Sequence, residues 1–294
     1  MKLSIVTINY NNAEGLRKTL ASVAAQTYRN IEHVIIDAAS TDGSIDIIRA
    51  YALQTDDLDV KWISEPDNGI YNGMNKGIRT ATGDYVHILN SGDELAAPDV
   101  VERMMEVIEY YTLHITNHTS DAAGLPILMG NIVHVYENGK AVRGKKRTKT
   151  NDLAPRPIEA SMLTFYSGTI PHDAAFVRRD LFEKYGFFDE TMKICADWKL
   201  YLDMIALGGV MPMYVDVDVV LFDMSGVSNV NHERRLAERR AYLEKVLPAS
   251  ILKDYDAYAA PIAQYNRIRK HHLWGLVRFM ERVLFKLEKW HILR

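Results

Sequence analysis

Residues 33–44 read His33-Val34-Ile35-Ile36-Asp37-Ala38-Ala39-Ser40-Thr41-Asp42-Gly43-Ser44. The apolar run does not alternate with polar residues, as expected of a strand buried on both faces. It stops at Asp37, passes through a turn-rich stretch, and gives way to Ile45, Ile47, Ile48 and Tyr51 in a helical pattern. The same strand, turn and helix recur on either side. Upstream, Leu3 to Ile8 is closed by Asn9, Asn11 and Asn12, and Leu16, Leu20, Val23 and Ala24 follow at helical spacing. Downstream come a strand at Val60 to Ile63, a loop at Glu65-Pro66-Asp67-Asn68-Gly69 and a helix at Ile70 to Ala81. A fourth strand, Tyr85 to Leu89, ends at Asn90-Ser91-Gly92-Asp93. This alternation predicts an α/β domain with a mostly parallel, doubly wound sheet.

Beyond Pro98 the pattern turns α+β. Val100 to Tyr111 reads as a helix, and Ile132 to Tyr136 with Ala141 to Arg143 as a hairpin around Asn138-Gly139. Lys145 to Arg156 is basic, then polar, and reads as a loop. Helices are expected near Arg179 to Tyr185 and Ala196 to Leu207, and strand near Met213 to Phe222. His232 to Leu247 and the segment from Gln264 are helical in pattern. The simplest division is one catalytic domain over 1–230, split into halves 1–97 and 98–230, and a helical extension over 231–294.

Composition narrows the classes. One cysteine in 294 residues, Cys195, excludes an intramolecular disulfide framework and fits a reducing compartment. No apolar run approaches the ~18–20 residues of a spanning helix, and the start MKLSIVTINYNN reads as a strand rather than a signal peptide. A cytoplasmic protein is expected. The net charge of −3 is unevenly spread: Glu233 to Arg294 carries 14 basic and 7 acidic residues, and the remainder 21 and 31. An acidic body and no recognised module argue against nucleic acid as a partner. The basic tail fits an anionic one.

In an open α/β sheet, ligands sit beyond the carboxyl ends of the strands. Four strand ends here are polar: Thr7, Asn9 and Asn11; Asp37; Asp67 and Asn68; Asn90 and Asp93. Each alone is equally readable as a turn. Together they line one edge, as a nucleotide site requires. No G-x-G-x-x-G follows the first strand, and no G-x-x-x-x-G-K-[ST] occurs. Carboxylates repel phosphate unless a divalent cation intervenes, and Asp93 is placed to hold Mg²⁺ or Mn²⁺ through oxygen ligands.

The stretches SIVTINYNN (4–12), IIDAASTDGS (35–44), SEPDNGIYNGMNKGI (64–78), GDYVHILNSGDE (83–94), PHDAAFVRRDLFEKYGFFDE (171–190) and ADWKLYL (196–202) form an ordered set. In order and spacing the set resembles the family 2 glycosyltransferases of the GT-A fold. The resemblance covers roughly 1–230 and is nearest to the bacterial polysaccharide and lipid-linked glycan branch, where Asn-Ser-Gly-Asp replaces Asp-x-Asp. It implies a nucleotide-diphosphate sugar as donor, UDP-linked by preference, and a glycan or lipid-linked acceptor. It implies that Thr7, Asn9 and Asp37 line the base and ribose, and that Asp67, Asn75 and Lys76 complete the nucleotide pocket. Asp93 would anchor the metal, and Asp197 would be the general base of an inverting single displacement. His172 and Trp198 would approach the phosphates or the acceptor. Asn90 and Gly92 stand where many members carry carboxylates, and Asn72 and Gly73 where this branch often has Asp-Ala.

Other readings stay open at this level. Asp197 also suits a helix N-terminus, and His172 and Trp198 also suit structural packing. A sugar-1-phosphate nucleotidyltransferase shares the architecture, but would show a Gly-rich N-terminal loop with Arg where Asn9-Tyr10-Asn11-Asn12 stands. A catalytically degenerate GT-A-fold binding protein is the non-enzyme alternative. In the tail, Leu276, Val277, Met280, Leu284 and Leu287 recur at helical spacing, bracketed by Trp274 and Trp290. That stripe within 264–294 suits a peripheral membrane contact at the inner face of the cell membrane, or packing on the body or on another subunit in a homo-oligomer.

Overall fold

The computed structural model describes residues 1–114, 124–136, 138–143, 154–224, 232–269 and 274–289. Lys145, Lys146, Arg147 and Lys149 of the basic loop, and Trp290 of the tail, lie outside the described residues. Two compact units divide the chain, Met1–Ala241 and Tyr242–Arg294.

In the first unit, strands β1 (Leu3–Asn9), β2 (Ile31–Asp37), β3 (Asp59–Ser64) and β4 (Tyr85–Ile88) lie in the order β3-β2-β1-β4. All three pairings among them are parallel, as the strand–helix alternation predicts. Every residue of β1 and β2 is buried, which explains their unbroken apolar runs. Successive side chains of a strand face opposite ways. Ile35 packs with Leu16 and Leu20 of α1 (Ala13–Ala24) and Ile48 and Tyr51 of α2 (Ser44–Gln54). Its neighbour Ile36 faces α3 (Ile70–Thr80) on the other side of the sheet. There α3 crosses β1 so closely that a Cβ on Gly77 would lie 2.2 Å from Val6 Cγ1.

The sheet continues through β9 (Ala175–Arg178), β6 (Ile127–Val135), β10 (Met213–Asp223) and β5 (Glu94–Leu95). Here directions mix. β9 runs antiparallel to both β4 and β6, β10 runs parallel to β6, and β5 antiparallel to β10. The expected hairpin forms, with β7 (Ala141–Arg143) antiparallel to β6 and Gly139 at φ +74 in its turn. A short β8 (Arg156–Pro157) pairs with β10, and α4 (Val100–His114) packs into the core. The helices α5 (Met162–Ser167), α6 (Asp180–Tyr185) and α7 (Ala196–Tyr201) complete this half. The helix expected to run to Leu207 changes at Leu202 into a π-helical turn, Leu202–Leu207. Its end is fixed by Gly208, whose carbonyl accepts from the Tyr185 hydroxyl at 3.1 Å, and by Gly209 at φ +71. The chain then runs through α8 (His232–Val246), α9 (Ala249–Arg269) and α10 (Trp274–Lys289).

Candidate active site

The carboxyl ends of β1, β2 and β3 are tied together by Asp37. One of its oxygens accepts from Asn9 Nδ2 at 2.8 Å and Ser40 Oγ at 2.6 Å. The other accepts from the Ser40 N–H at 2.9 Å and Ser64 Oγ at 2.7 Å. Burial pushes the Asp37 carboxyl up, but the bonds from Ser40, Asn9 and Ser64 win and hold it below the ordinary carboxylate value. Four donors fill the lone-pair capacity of a carboxylate. Asp37 therefore organises this edge. Asn9 keeps its Oδ1 buried without a partner among the described residues, so it retains an acceptor there. The loop geometry is unusual: Asn11 and Ala39 both take left-handed conformations, with φ of 47 and 56. Asn11 Oδ1 receives the Thr41 N–H at 2.8 Å, and Asp42 receives the Ala13 N–H at 2.8 Å. Tyr10, between these anchored residues, is 68% exposed.

Asp67 is half-buried in the loop ahead of α3 and accepts the Gly69 N–H at 2.9 Å. Its Oδ2 lies 3.2 Å from where a Cβ on Gly73 would stand, so the atypical glycine makes room for this carboxylate. Lys76 holds the same loop through Glu65 at 2.8 Å and the Pro66 carbonyl at 3.1 Å.

The second cluster is differently built. Asp93 follows Gly92, which turns at φ +108, and is 5% exposed. Among the described residues its carboxylate takes one hydrogen bond, from the Asp223 N–H at 2.9 Å. Burial pushes its pKa up to about 7; the Asp223 N–H and His172 oppose this, and the charges of Asp173 and Asp223 add to it. His172 Nδ1 lies 3.2 Å from Asp197 Oδ2, and Nε2 lies 3.4 Å from Asp173 Oδ1. The Nε2 contact has an ion-pair distance but not hydrogen-bond alignment, so among the described residues that buried nitrogen has no hydrogen-bond partner. Burial disfavours the His172 cation, yet Asp173, Asp197 and Asp93 together raise it to about 9. The imidazole is therefore charged at neutral pH.

Asp197 lies in the first turn of α7. Burial raises its pKa, but the hydrogen bond and charge of His172, the Trp198 N–H and the Tyr71 hydroxyl bring it below the ordinary value. Tyr71 Oη, from α3, shares its single proton between the Ile194 carbonyl at 2.7 Å and Asp197 Oδ1 at 3.1 Å. The segment leading into α7 is fixed from behind. The Glu238 carboxylate accepts the N–H groups of Lys193, Ile194 and Cys195 at 3.0, 3.0 and 3.1 Å. Asp197 is thus an ionised carboxylate fixed in place by its neighbours.

The structure brings Asp93, His172 and Asp197 into one electrostatic cluster, and Asn9 and Asp37 into another. Three residues expected at the ligand are buried and hydrogen-bonded within the protein. Thr7 is fully buried, and its Oγ1 lies 3.0 Å from His33 Nε2 in the layer beneath α2. Trp198 is 1% exposed, packed in the interior, and donates Nε1–H to the Phe165 carbonyl at 2.9 Å. Asn75 is 1% exposed; its amide clamps the Phe188 backbone at 2.9 and 3.0 Å and reaches Glu190 at 2.7 Å. Sequence reasoning missed Tyr71, Asp173, Asp223 and Glu238. The first two stand beside Ile70 and His172 in stretches already singled out. Nothing marks Glu238 among the charges of a polar helix.

Among the described residues no three His, Cys, Asp or Glu side chains form a ready cage for a metal. The donor set nevertheless fits a hard cation taken up with a diphosphate. Burial and the charges of Asp173 and Asp223 outweigh the His172 cation at Asp93, and Asn90 Oδ1 is buried without a hydrogen-bond partner among the described residues. Magnesium-like ions are commonly held by one or two carboxylates, with phosphate and water completing the shell.

Comparison with known proteins identifies the family and the fold. The glycosyl transferase family 2 model matches residues 4–186. The uncharacterized glycosyltransferase MT1564 of Mycobacterium tuberculosis (strain CDC 1551 / Oshkosh) is 32% identical over 230 residues, covering 77% of each chain. A PGL/p-HBAD biosynthesis glycosyltransferase of Mycobacterium bovis (strain BCG / Pasteur 1173P2) is 26% identical over 239 residues, 80% of this chain and 82% of that one. Among solved structures, Staphylococcus aureus TarS 1–349 in complex with UDP-GlcNAc superposes with a TM-score of 0.58 at 18% identity. That match covers 76% of this chain but 58% of TarS 1–349. The mannosyltransferase PcManGT from Pyrobaculum calidifontis, in complex with GDP-Man and Mn²⁺, also gives a TM-score of 0.58, at 17% identity over 97% of this chain and 80% of that one. The fold is GT-A, and the chain belongs to the family 2 glycosyltransferases.

Proposed function

We propose that this glycosyltransferase works by inverting single displacement, with Asp197 as general base and Asp93 as the carboxylate that meets the donor's metal-bound diphosphate. The observation that carries the proposal is the His172–Asp197 pair. It is an ionised carboxylate held by a charged imidazole at 3.2 Å, in the same electrostatic cluster as an under-compensated Asp93. An acceptor hydroxyl attacks the anomeric carbon opposite the diphosphate. The new C–O bond forms as the C–O bond to phosphate breaks, and the hydroxyl proton passes to Asp197. His172 keeps Asp197 ionised until that transfer. A divalent ion, Mg²⁺ or Mn²⁺, would be held by Asp93 and would neutralise charge developing on the departing phosphate. Asn9, Asp67 and the exposed Tyr10 line the donor side, with Asp37 and Lys76 fixing the loops that carry them.

The donor class follows from the family. In its Asn-Ser-Gly-Asp form the chain fits UDP-sugar transfer to a glycan or lipid-linked acceptor in cell-surface polysaccharide synthesis, at the inner face of the cell membrane. TarS is seen with UDP-GlcNAc and PcManGT with GDP-Man, so both bases belong in the screen. Residues 1–97 would form the donor half, 98–230 the acceptor half and 231–294 an extension. The test measures nucleoside diphosphate release from UDP- and GDP-sugars, with Mg²⁺, Mn²⁺ or a chelator. Metal-dependent release is expected. Pyrophosphate release from a nucleoside triphosphate and sugar-1-phosphate would instead mark a nucleotidyltransferase, and donor binding without turnover a binding protein.

A further inference from the structure

The second unit ends in α10, which carries an unusual surface. Leu276, Phe279, Met280, Val283 and Leu284 are exposed, from 38% at Val283 to 61% at Phe279. At 3.6 residues per turn these five side chains fall within an arc of about 140°. Arg278, Arg282 and Lys286 are also exposed and share an adjoining arc of about 80°. The start of the helix is braced by Trp274, whose ring meets Tyr265 of α9 edge-on at 5.4 Å.

We infer that α10 is a membrane-surface helix that binds anionic lipid headgroups, its apolar arc in the acyl boundary and its basic arc at the phosphates. Three observations select this occupant. First, 16 residues of helix reach about 24 Å, short of a hydrocarbon core of ~30 Å, and no described helix is long and apolar enough to cross a membrane. The helix therefore lies in the interface. Second, its apolar arc is wider than the two-position seam of a coiled coil, whereas interfacial helices present a broad face. Third, the basic charge is one-sided: Arg278, Arg282 and Lys286 share one flank of the apolar arc, and the exposed Glu281 stands on the other. An antiparallel second copy would bring the two basic stripes together, whereas an anionic surface neutralises that whole flank.

The inference does not rest on the transfer mechanism, and its test reads binding, not turnover. Full-length protein is sedimented with vesicles of phosphatidylcholine alone and of phosphatidylcholine mixed with phosphatidylglycerol. Binding is expected only with phosphatidylglycerol, and it should weaken with salt. Reversing the basic arc in Arg278→Glu/Arg282→Glu/Lys286→Glu should lower partitioning on the order of 100-fold or more. Breaking the apolar arc in Met280→Glu/Val283→Glu should abolish binding while leaving the melting temperature and nucleoside diphosphate release unchanged. Equal sedimentation of the parent and Met280→Glu/Val283→Glu overturns the inference. So does absence of vesicle binding together with a dimer by light scattering that Met280→Glu/Val283→Glu dissociates, because a second copy would then cover the face.

Discussion

Two carboxylates at the same sheet edge, Asp37 and Asp93, are buried to similar degrees but satisfied very differently. Asp37 receives four hydrogen bonds and lies below its ordinary pKa. Asp93 receives one and is pushed up to about 7, with two further carboxylates adding to its burden. A satisfied buried carboxylate builds a scaffold; an unsatisfied one stores an interaction that only a ligand completes. In the proposed mechanism the N-terminal strand ends supply shape, and the cluster of Asp93, His172, Asp173 and Asp197 supplies chemistry. Substitution can separate the two, because scaffold residues should cost stability first and chemical residues should cost rate first.

The largest effect is expected at Asp197. Asp197→Asn keeps the shape and the bond from Tyr71 but removes the proton acceptor. Its kcat should fall roughly 10²–10⁴-fold, with donor affinity by calorimetry unchanged. Full activity in this variant removes Asp197 as the base. The parent's rate should also decline as pH rises through about 9, where His172 loses its charge and the surrounding carboxylates Asp93, Asp173 and Asp197 lose their compensating cation beside an anionic diphosphate. Stability follows the same window. The folded pKa of His172 lies above the ordinary histidine value of 6.5, so its contribution is fully present below 6.5 and lost as pH rises through about 9.

Asp93→Asn comes next, with an expected loss of rate on the order of 100-fold. The variant should also lose the Mg²⁺ or Mn²⁺ dependence of nucleotide binding. Its stability should move the opposite way from its activity. The folded Asp93 is raised from 3.8 to about 7, so the native state binds the extra proton, and stability falls as pH rises through that interval. Asparagine carries no such penalty. Without metal, Asp93→Asn should therefore melt above the parent at about pH 8. A lower melting temperature there would mean that Asp93 is a scaffold residue like Asp37.

Asp37→Asn tests the other side. An amide cannot accept at its nitrogen, so about two of the four donors lose their partner, at a cost of roughly 2–3 kcal/mol. The melting temperature should drop, while the rate per folded molecule at low temperature stays within about 10-fold of the parent. A rate collapse at unchanged stability would make Asp37 a direct donor contact.

This division also shows what the sequence could disclose. The parallel half was legible because its strands are buried on both faces, and β1 and β2 carry the apolar runs that burial demands. The mixed half was not, since β9 and β6 join antiparallel across more than forty intervening positions and no local pattern encodes that pairing. Among site residues, Asp93 and Asp197 stand in motifs with ordered spacing, and the structure sets them among partners. Thr7 belongs to a motif too, yet strand alternation turns its side chain toward His33. Period two alone could have flagged this, because Thr7 shares its face with core residues Leu3 and Ile5. Glu238 was invisible because its role depends on a helix returning from thirty-odd residues beyond the loop it caps.

The smallest effect is expected at Gly73, where scaffold and site meet. Glycine inside a helix costs roughly 0.5–1 kcal/mol relative to alanine, so Gly73→Ala should on propensity alone stabilise α3. The added methyl would stand 3.2 Å from Asp67 Oδ2 and 3.4 Å from Ile8 Cγ2. Ile8 is packed in β1, whereas the half-buried Asp67 side chain can give by a few tenths of an ångström. The displacement therefore falls on Asp67. If Asp67 touches the donor, Gly73→Ala should raise the donor KM a few-fold at unchanged kcat, while the melting temperature holds or rises. An unchanged KM with a higher melting temperature would place Asp67 with Asp37, as a residue that shapes the loop and leaves the nucleotide to Asn9 and Tyr10.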